Sequence, residues 1–145
     1  MIDASKIDEK LYAGSKPSDA NVLRELARLG VKTVLSLTRE PLINCTGLGT
    51  IFTELGITCR HEYIGVDCPP NPDQAERILR IINEALSANT GLFIHCEGGS
   101  GRTGTVLHLY YMSKGMTYLE AREHISRRRP QCDVLSDIQK EMLGA

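Results

Sequence analysis

The chain has 145 residues, of which 41% are hydrophobic and 24% are charged, and its formal net charge is −1. This length fits a single domain over 1–145 with a sizeable core, and the near-neutral charge argues against a nucleic-acid partner. The longest apolar runs are too short to span a bilayer, and the first ten residues lack the basic start and apolar stretch of a signal peptide. We therefore expect a cytoplasmic protein with no membrane partner.

The first half of the chain alternates helix-like and strand-like patterns. Residues 19–30 carry apolar side chains on one helical face and end in Gly30. The nearly continuous apolar run over 31–37 is typical of a strand buried on both faces. Residues 46–55 are ambiguous and could form a short helix, and 57–64 again resemble a strand.

Prolines and a cap mark the middle of the chain. Residues 67–72 contain three prolines, which restrict φ and remove hydrogen-bond donors, so we expect a rigid loop. Asn71 then caps a helix whose first residue is Pro72. A short buried strand is predicted over 91–95.

The last third of the chain is mostly helical in pattern, starting with a helix over 102–114. Thr117 and Glu120 form the capping box of another helix, which Pro130 ends. A final short helix is predicted over 136–143. Strands that alternate with helices indicate an α/β domain with a central, mainly parallel sheet flanked by helices.

A glycine-rich loop, HCEGGSGRTG over 95–104, lies between a predicted strand and a predicted helix. The first amides of a helix lack intrahelical partners, which makes such a loop an anion site. Gly98, Gly99 and Gly101 let successive amides converge on one centre. Arg102 adds a planar, permanently charged fork that can grip two oxygens.

Cys96 lies in the electrostatic field of this loop. A free thiol has a pKa of about 8.5, and helix N-termini with nearby cations lower it to roughly 3.5–7.5. Cys96 would then attack the phosphorus of a bound phosphate ester, and water would hydrolyse the phosphocysteine. A Walker nucleotide loop fits less well, because no Gly-Lys-Ser/Thr follows the glycines. The other four cysteines show no Cys-x-x-Cys spacing, so we expect neither a disulfide framework nor a metal site.

The segment 96–103, CEGGSGRT, resembles the Cys-x5-Arg-Ser/Thr signature of the cysteine-dependent protein tyrosine phosphatase superfamily. His95 gives the common His-Cys form. The stretches at 11–17 (LYAGSKP), 29–38 (LGVKTVLSLT) and 67–74 (DCPPNPDQ) resemble the small atypical dual-specificity phosphatases. The resemblance covers nearly the whole chain and implies a protein tyrosine phosphatase-like fold.

The resemblance also implies a role for each residue of the signature. Cys96 would be the nucleophile, Arg102 the phosphate clamp, and Thr103 a hydrogen-bond donor to the sulfur. His95 would orient the loop from behind, although a half-buried histidine with one backbone bond fits equally well. Six backbone amides would bind the phosphate: those of Glu97, Gly98, Gly99, Ser100, Gly101 and Arg102. No metal and no other cofactor is implied.

A general acid must protonate the leaving oxygen, and the family places an aspartate about thirty residues before the cysteine for this step. Asp67 lies there, although close relatives carry the aspartate one place earlier, where this chain has Val66. Asp73 is better interpreted as an acid that complements the dipole of the following helix. Asp133 or Asp137 could substitute as the acid.

Further polar residues near the C-terminus have two interpretations each. Gln139 resembles a glutamine that positions the second-step water in some relatives, and an ordinary surface amide fits as well. The basic run 127–129 could bind substrate, but we favour a basic last helical turn that complements the dipole. His108 and His124 have no ligand-like partners in the sequence.

These features favour a protein phosphatase acting on phosphotyrosine, with phosphoserine and phosphothreonine as further substrates. Glu97 and the absence of lysine from the loop disfavour a multiply phosphorylated ligand. An inositol-phosphate or RNA 5′-triphosphate phosphatase is the alternative enzyme. A non-catalytic phosphate-binding module is disfavoured, because the nucleophile, the arginine and a candidate acid are all present.

Overall fold

Residues 2–145, the part of the chain that this computed structural model describes, contain five strands and six α-helices. The strands are β1 (Ala4–Asp8), β2 (Leu11–Gly14), β3 (Val31–Ser36), β4 (Thr58–His61) and β5 (Gly91–His95). The helices are α1 (Ala20–Arg28), α2 (Gly49–Leu55), α3 (Pro72–Ser87), α4 (Gly101–Ser113), α5 (Tyr118–Arg128) and α6 (Asp137–Met142). Short 3₁₀ turns lie at Leu42–Asn44 and Pro130–Asp133.

The strands form one sheet in the order β1-β2-β5-β3-β4. Strands β2, β5, β3 and β4 run parallel to one another, and β1 pairs antiparallel with β2. The predicted α/β architecture with a mainly parallel central sheet is therefore confirmed. The N-terminal hairpin of β1 and β2 was not predicted, because both strands are short and the sequence of β1 has no clear apolar alternation.

The sheet separates two apolar cores, and side chains of neighbouring strand residues alternate between them. Leu92 and Ile94 of β5 pack into the core formed with α3, α4 and α5. Phe93, between them, packs into the core formed with α1 and α2. All of β5 is buried, and it is the central strand of the sheet. His95 and Cys96 therefore lie at the carboxyl ends of the parallel strands, where open α/β sheets bind their ligands.

The helix caps predicted at Asn71 and at Thr117 are confirmed by the structure, and Asp19 forms a further cap that was not predicted. The side chain of Asp19 accepts hydrogen bonds from amides in the first turn of α1, and that of Asn71 accepts one from the Gln74 amide at 2.8 Å. The capping box of Thr117 and Glu120 starts α5. The ambiguous stretch 46–55 contains α2, whose end at Gly56 is left-handed.

The predicted strand at 57–64 is shorter in the structure. Only Thr58–His61 pairs regularly with β3 as the edge strand of the sheet. The chain then leaves the ladder, although the Ile64 amide still donates to the Leu37 carbonyl at 3.1 Å. This departure turns the following loop toward the carboxyl end of β5.

Three further findings bear on the expectations from composition. None of the five cysteines forms a disulfide in the part of the chain that is described. Across residues 2–145, every helix is too short or too polar to cross a bilayer. The same residues contain no cluster of three or more histidine, cysteine, aspartate or glutamate side chains that could hold a metal ion.

Candidate active site

The glycine-rich loop joins the end of β5 to the start of α4, as the sequence predicts. Cys96 begins the loop and is only 3% exposed. Gly99 has φ of +68°, and a side chain there would collide with the backbone of Gly14 and with the Arg129 guanidinium. Glycine is therefore required at Gly99 for both conformation and space.

The surroundings of the Cys96 thiol favour its ionised form. Burial raises the pKa of the thiol, but hydrogen bonding from Thr103 and from the amides of Ser100 and Gly99 outweighs burial and leaves the pKa below its ordinary value. Thr103 is fully buried, and its hydroxyl has no hydrogen bond of ordinary geometry to any described residue. This hydroxyl nevertheless lowers the pKa of the Cys96 thiol more than the amide of Ser100 or Gly99 does.

Arg102 is 7% exposed, and its Nη1 donates to the Ile64 carbonyl at 3.0 Å. This bond ties the guanidinium to the chain that leads into the acid loop, which we define as Gly65–Cys68. Arg102 and Cys96 line the same cavity, whose volume is about 250 Å³. The full lining is Val66, Asp67, Cys96, Glu97, Gly98, Ser100, Gly101 and Arg102.

A second cavity of about 420 Å³ adjoins the first, and exposed Glu97 lines both. Lys16 lines the second cavity, and its backbone amide donates to the Glu97 carbonyl at 2.9 Å. Hydroxyl groups of Ser15, Ser18 and Thr46 complete a polar wall. Glu97 is therefore the residue that the two cavities share.

His95 is fully buried behind the loop and makes two hydrogen bonds. Its Nδ1 lies 3.0 Å from the Cys96 carbonyl, and its Nε2 lies 2.7 Å from the Ser36 hydroxyl. Burial lowers the pKa of His95 to about 4, so the ring is neutral. Because a carbonyl only accepts, the network assigns the proton to Nδ1, and Ser36 donates to Nε2.

Asp67 lines the cavity that holds Cys96 and Arg102, and its neighbour Val66 lines it as well. Asp67 has φ of +61°, a left-handed conformation that aspartate adopts more readily than most residues. The hydroxyl of Ser136 donates to the Asp67 carbonyl at 2.7 Å and so ties the acid loop to the start of α6. The structure thus places exposed Asp67 at the mouth of the cavity.

The other candidate acids lie elsewhere. Asp73 and Asp137 occupy the first turns of α3 and α6. Asp133 accepts from Arg122 Nε at 2.8 Å and lies 3.8 Å from His108 Nε2. Among residues 2–145, none of the three aspartates lines the cavity of Cys96.

Each of the two histidines faces one aspartate in the structure. His108 lies near Asp133, and His124 Nε2 lies 3.4 Å from Asp8 Oδ2. The reason is tertiary: helices α4 and α5 bring together residues that are distant in sequence.

Gln139 is fully buried, so its interpretation as an ordinary surface amide is wrong. Its Oε1 accepts from the Ser136 amide at 2.8 Å, and its Nε2 lies 3.4 Å from the Cys68 carbonyl. Gln139 thus connects the N-terminus of α6 to the acid loop. Its amide group also lies beside Gly101 at the edge of the cavity.

Arg129 does not belong to an exposed basic turn, in contrast to our interpretation of 127–129. Its side chain is 1% exposed, whereas Arg127 and Arg128 are exposed. The Arg129 guanidinium donates to the Gly99 carbonyl at 2.8 Å and to both carboxylate oxygens of Asp3. These contacts could not be predicted from a local pattern, because Asp3 and the loop are distant from Arg129 in sequence.

Comparisons with known proteins agree with this arrangement. The family model described as PTP-SAK, a Swiss Army Knife protein with a DSP-PTPase phosphatase domain, matches residues 7–141. Dual specificity protein phosphatase 9 of Homo sapiens is 31% identical over 111 residues, which cover 72% of this chain and 26% of that protein. Phosphatidylglycerophosphate phosphatase PTPMT2 of Arabidopsis thaliana is 31% identical over 129 residues, covering 87% of this chain and 55% of that protein.

This chain thus spans between about a quarter and about half of these two curated relatives. The crystal structure of Tk-PTP in the active form is 28% identical, with a TM-score of 0.82, and the match covers 97% of this chain and 93% of that chain. The fold, the loop between β5 and α4 and the family match all indicate the same kind of phosphatase domain. The chain therefore belongs to the PTP-SAK family of DSP-PTPase phosphatase domains, within the cysteine-dependent protein tyrosine phosphatase superfamily.

Proposed function

We propose that this chain is a single catalytic domain that hydrolyses phosphotyrosine in proteins through a phosphocysteine intermediate, with phosphoserine and phosphothreonine as further substrates. One observation carries the proposal. Cys96, Arg102 and Asp67, which supply a nucleophile, a cation and an acid, line one cavity together with the amides of the glycine-rich loop. Hydrolysis of a phosphate monoester through a phosphocysteine uses these three groups together with an anion cradle.

In the first step, the phosphate dianion occupies the cradle of loop amides and the Arg102 guanidinium. The Cys96 thiolate forms a bond to phosphorus while the bond from phosphorus to the ester oxygen breaks. Asp67, protonated, gives its proton to that oxygen, because an alkoxide or phenoxide leaves poorly. The products of this step are the free alcohol or phenol and a phosphocysteine.

In the second step, the Asp67 carboxylate takes a proton from a water molecule that attacks the phosphorus. The bond between sulfur and phosphorus breaks, which regenerates the Cys96 thiolate and releases inorganic phosphate. The Thr103 hydroxyl and the loop amides stabilise the departing sulfur, as they lower the pKa of the free thiol. His95 holds the Cys96 carbonyl from behind and takes no part in proton transfer.

The charges around the cavity support a phosphoprotein substrate. Glu97 is exposed at the junction of the two cavities, and the loop contains no lysine, so a second phosphate beside the first would be repelled. Val66 at the rim is 69% exposed and presents an apolar surface to the tyrosyl ring of a substrate. Dual specificity protein phosphatase 9, a relative, is named for activity on proteins.

A phosphorylated lipid headgroup is the second candidate substrate, in place of an inositol phosphate or an RNA 5′-triphosphate. The plant relative named as a phosphatidylglycerophosphate phosphatase matches 87% of this chain. Lys16 in the second cavity offers one cation to a polar headgroup.

The deciding experiment is turnover of a matched panel by the purified chain. The panel contains one peptide with phosphotyrosine, phosphoserine or phosphothreonine at the same position, with phosphatidylglycerophosphate and an inositol phosphate. We expect the phosphotyrosine peptide to have the highest kcat/KM. Higher kcat/KM on the lipid would assign the second candidate, and no turnover of any compound would overturn the phosphatase proposal.

The Cys96→Ser variant tests the mechanism itself. We expect turnover to disappear, because a serine hydroxyl remains protonated in this site and is a poor nucleophile. Binding of inorganic phosphate should remain, because the loop amides and Arg102 are unchanged. Residual phosphatase activity in the pure Cys96→Ser protein would exclude the phosphocysteine route.

A further inference from the structure

Residues outside the glycine-rich loop hold two of its peptide groups in their orientation. The amides of Gly99 and Ser100 lower the pKa of the Cys96 thiol, as amides directed toward the sulfur would. A peptide group directs its N–H and its C=O to opposite sides. The carbonyls of Gly98 and Gly99 must therefore point away from the cavity, into the protein, where each needs a donor.

Arg129 supplies donors to both carbonyls. Its Nε lies 2.8 Å from the Gly99 oxygen, and its Nη2 lies 3.4 Å from the Gly98 oxygen. The Cys132 thiol adds a third donor, 3.2 Å from the Gly99 oxygen. Burial raises the pKa of Cys132 to about 12, so this thiol keeps its proton and remains a donor.

Asp3 in turn fixes the guanidinium of Arg129. Its two carboxylate oxygens accept from Nη1 at 2.6 Å and from Nη2 at 2.8 Å, and the Ser5 hydroxyl lies 3.0 Å from Nη1. Such a two-point pair holds the planar guanidinium in one orientation. The hydrogen bonds from Arg129 outweigh burial and lower the pKa of Asp3 to about 2, so the carboxylate stays ionised.

We infer that Arg129 and Asp3 are positioning residues of the catalytic loop. Their ion pair holds the Gly98 and Gly99 carbonyls inward, so that the two following amides face the sulfur and the bound anion. The inference rests on the proposed use of this loop as an anion cradle. It extends the site to the N-terminal segment before β1, which lies on the far side of the loop from the cavity.

A purely structural role for the pair would affect only stability. A positioning role has a further consequence in the folded protein, because the same amides bind phosphate and lower the pKa of Cys96. Loss of the pair should therefore weaken phosphate binding and raise the pKa of the thiol together. Both quantities are measurable without any turnover.

The test uses the full chain and the variants Arg129→Met and Asp3→Asn, with Arg128→Met as the matched control. Arg128 is the exposed neighbour in the same helical turn and bonds only to its own helix at the His124 carbonyl. Inorganic phosphate binding is measured by calorimetry. The pH dependence of Cys96 alkylation by iodoacetamide is measured by peptide mass spectrometry, and circular dichroism verifies folding.

For Arg129→Met we expect phosphate binding to weaken by about tenfold or more, since small displacements of site groups have effects of this size. We expect the alkylation midpoint to move upward by about one pH unit, because a tenfold change in the ionisation equilibrium is one unit. Asp3→Asn should change both quantities in the same direction by a smaller factor. Arg128→Met should match the unmodified chain in both.

A folded Arg129→Met protein with unchanged phosphate affinity and an unchanged alkylation profile would overturn the inference. If Arg129→Met does not fold, Asp3→Asn decides, because the Asp3 side chain is 45% exposed and asparagine has nearly its size. Wild-type values in folded Asp3→Asn would then reduce Arg129 to a core residue and overturn the inference. An unmodified chain that binds no phosphate and has an ordinary Cys96 profile would overturn the proposed function instead.

Discussion

At the scale of single residues, the candidate site depends on a contiguous motif and on isolated residues that fold onto it. Cys96, Arg102 and Thr103 lie within eight positions, so the sequence identifies all three as candidates, Cys96 and Arg102 from their chemistry and Thr103 from the resemblance. Asp67 is harder to predict as the acid, because the resemblance implies an aspartate one position earlier, where this chain has Val66. Asp67 therefore needs the sharpest test.

Replacing Asp67 by Asn should slow hydrolysis of alkyl phosphates more than that of nitrophenyl phosphate. A nitrophenolate leaves without protonation, whereas an alkoxide needs it, and acid catalysis contributes roughly 10²–10⁴-fold. The basic limb of the pH–rate profile should also flatten, because that limb reports the loss of the acid's proton. Steady-state kinetics on both substrates between about pH 5 and 8 measure these effects, because catalytic acids and bases have pKa values near the pH at which the enzyme works.

Asp73→Asn is the matched control, because Asp73 lies in the first turn of α3 and does not line the cavity. It should leave both rates and the pH profile unchanged. If Asp67→Asn retains full activity on alkyl phosphates with the same profile, the proton donor is another residue.

At the same scale, the Arg129–Asp3 pair could not be predicted. The two residues are separated by 126 positions, and nothing in the local sequence distinguishes Arg129 from its exposed neighbours in the run of three arginines. Its burial is decided by how α5 packs beside the loop. Gln139 was identified as a candidate by resemblance, but its burial also depends on tertiary structure.

At the scale of elements, sequence signals were strongest where local chemistry decides. The strand β5 has the predicted bounds, since a short apolar run next to a glycine-rich loop leaves little choice. The caps at Asp19, Asn71 and Thr117 fix three helix starts. Strands β1 and β2 were missed because their stability comes from pairing within the sheet, which no local pattern reports.

Helix α4 shows how packing can reverse a local preference. Gly104 lies in its first turns, where alanine would be a better helix former by up to about 1 kcal/mol. However, a side chain at Gly104 would collide with the Cys132 carbonyl in the 3₁₀ turn after α5. The steric effect acts on the backbone, so neither partner can move cheaply.

We therefore expect Gly104→Ala to destabilise the protein by about 2 kcal/mol, within the usual range for overpacking. Urea unfolding followed by circular dichroism measures the difference. Ser113→Ala, at the exposed end of the same helix, should change stability by less than about 0.5 kcal/mol. A Gly104→Ala protein as stable as the unmodified chain would show that α4 can shift away from the turn.

At the scale of the whole molecule, buried histidines make stability depend on pH. Burial lowers the pKa of His95 from 6.5 to about 4, and it also lowers that of His108. The unfolded chain therefore binds protons that the folded chain excludes, so stability is present above pH 6.5 and is lost as the pH falls toward 4. The stability that Asp3 contributes through its pKa of about 2 is fully present above pH 3.8 and is lost only as the pH falls from 3.8 toward 2.

The free energy of unfolding should fall by about 2 kcal/mol between pH 7 and 4.5 through His95, since one unit of pKa shift corresponds to about 1.4 kcal/mol and this interval covers most of the shift. Urea titrations at several pH values in this interval measure the slope. His95→Asn should remove most of that slope and leave the smaller part due to His108. Equal stability of the unmodified chain at pH 7 and 4.5 would contradict the burial of a neutral His95.

The link between Asp3 and Arg129 also sets an order of events during folding. It closes a chain loop of 126 residues, and the entropic cost of such a closure is met only after nearer contacts have formed. A ribosome would release nearly the whole domain before Arg129 could reach Asp3. Cys96 would thus remain an ordinary thiol while the chain is being synthesised. It would acquire its full reactivity only when α5 had packed beside the segment before β1.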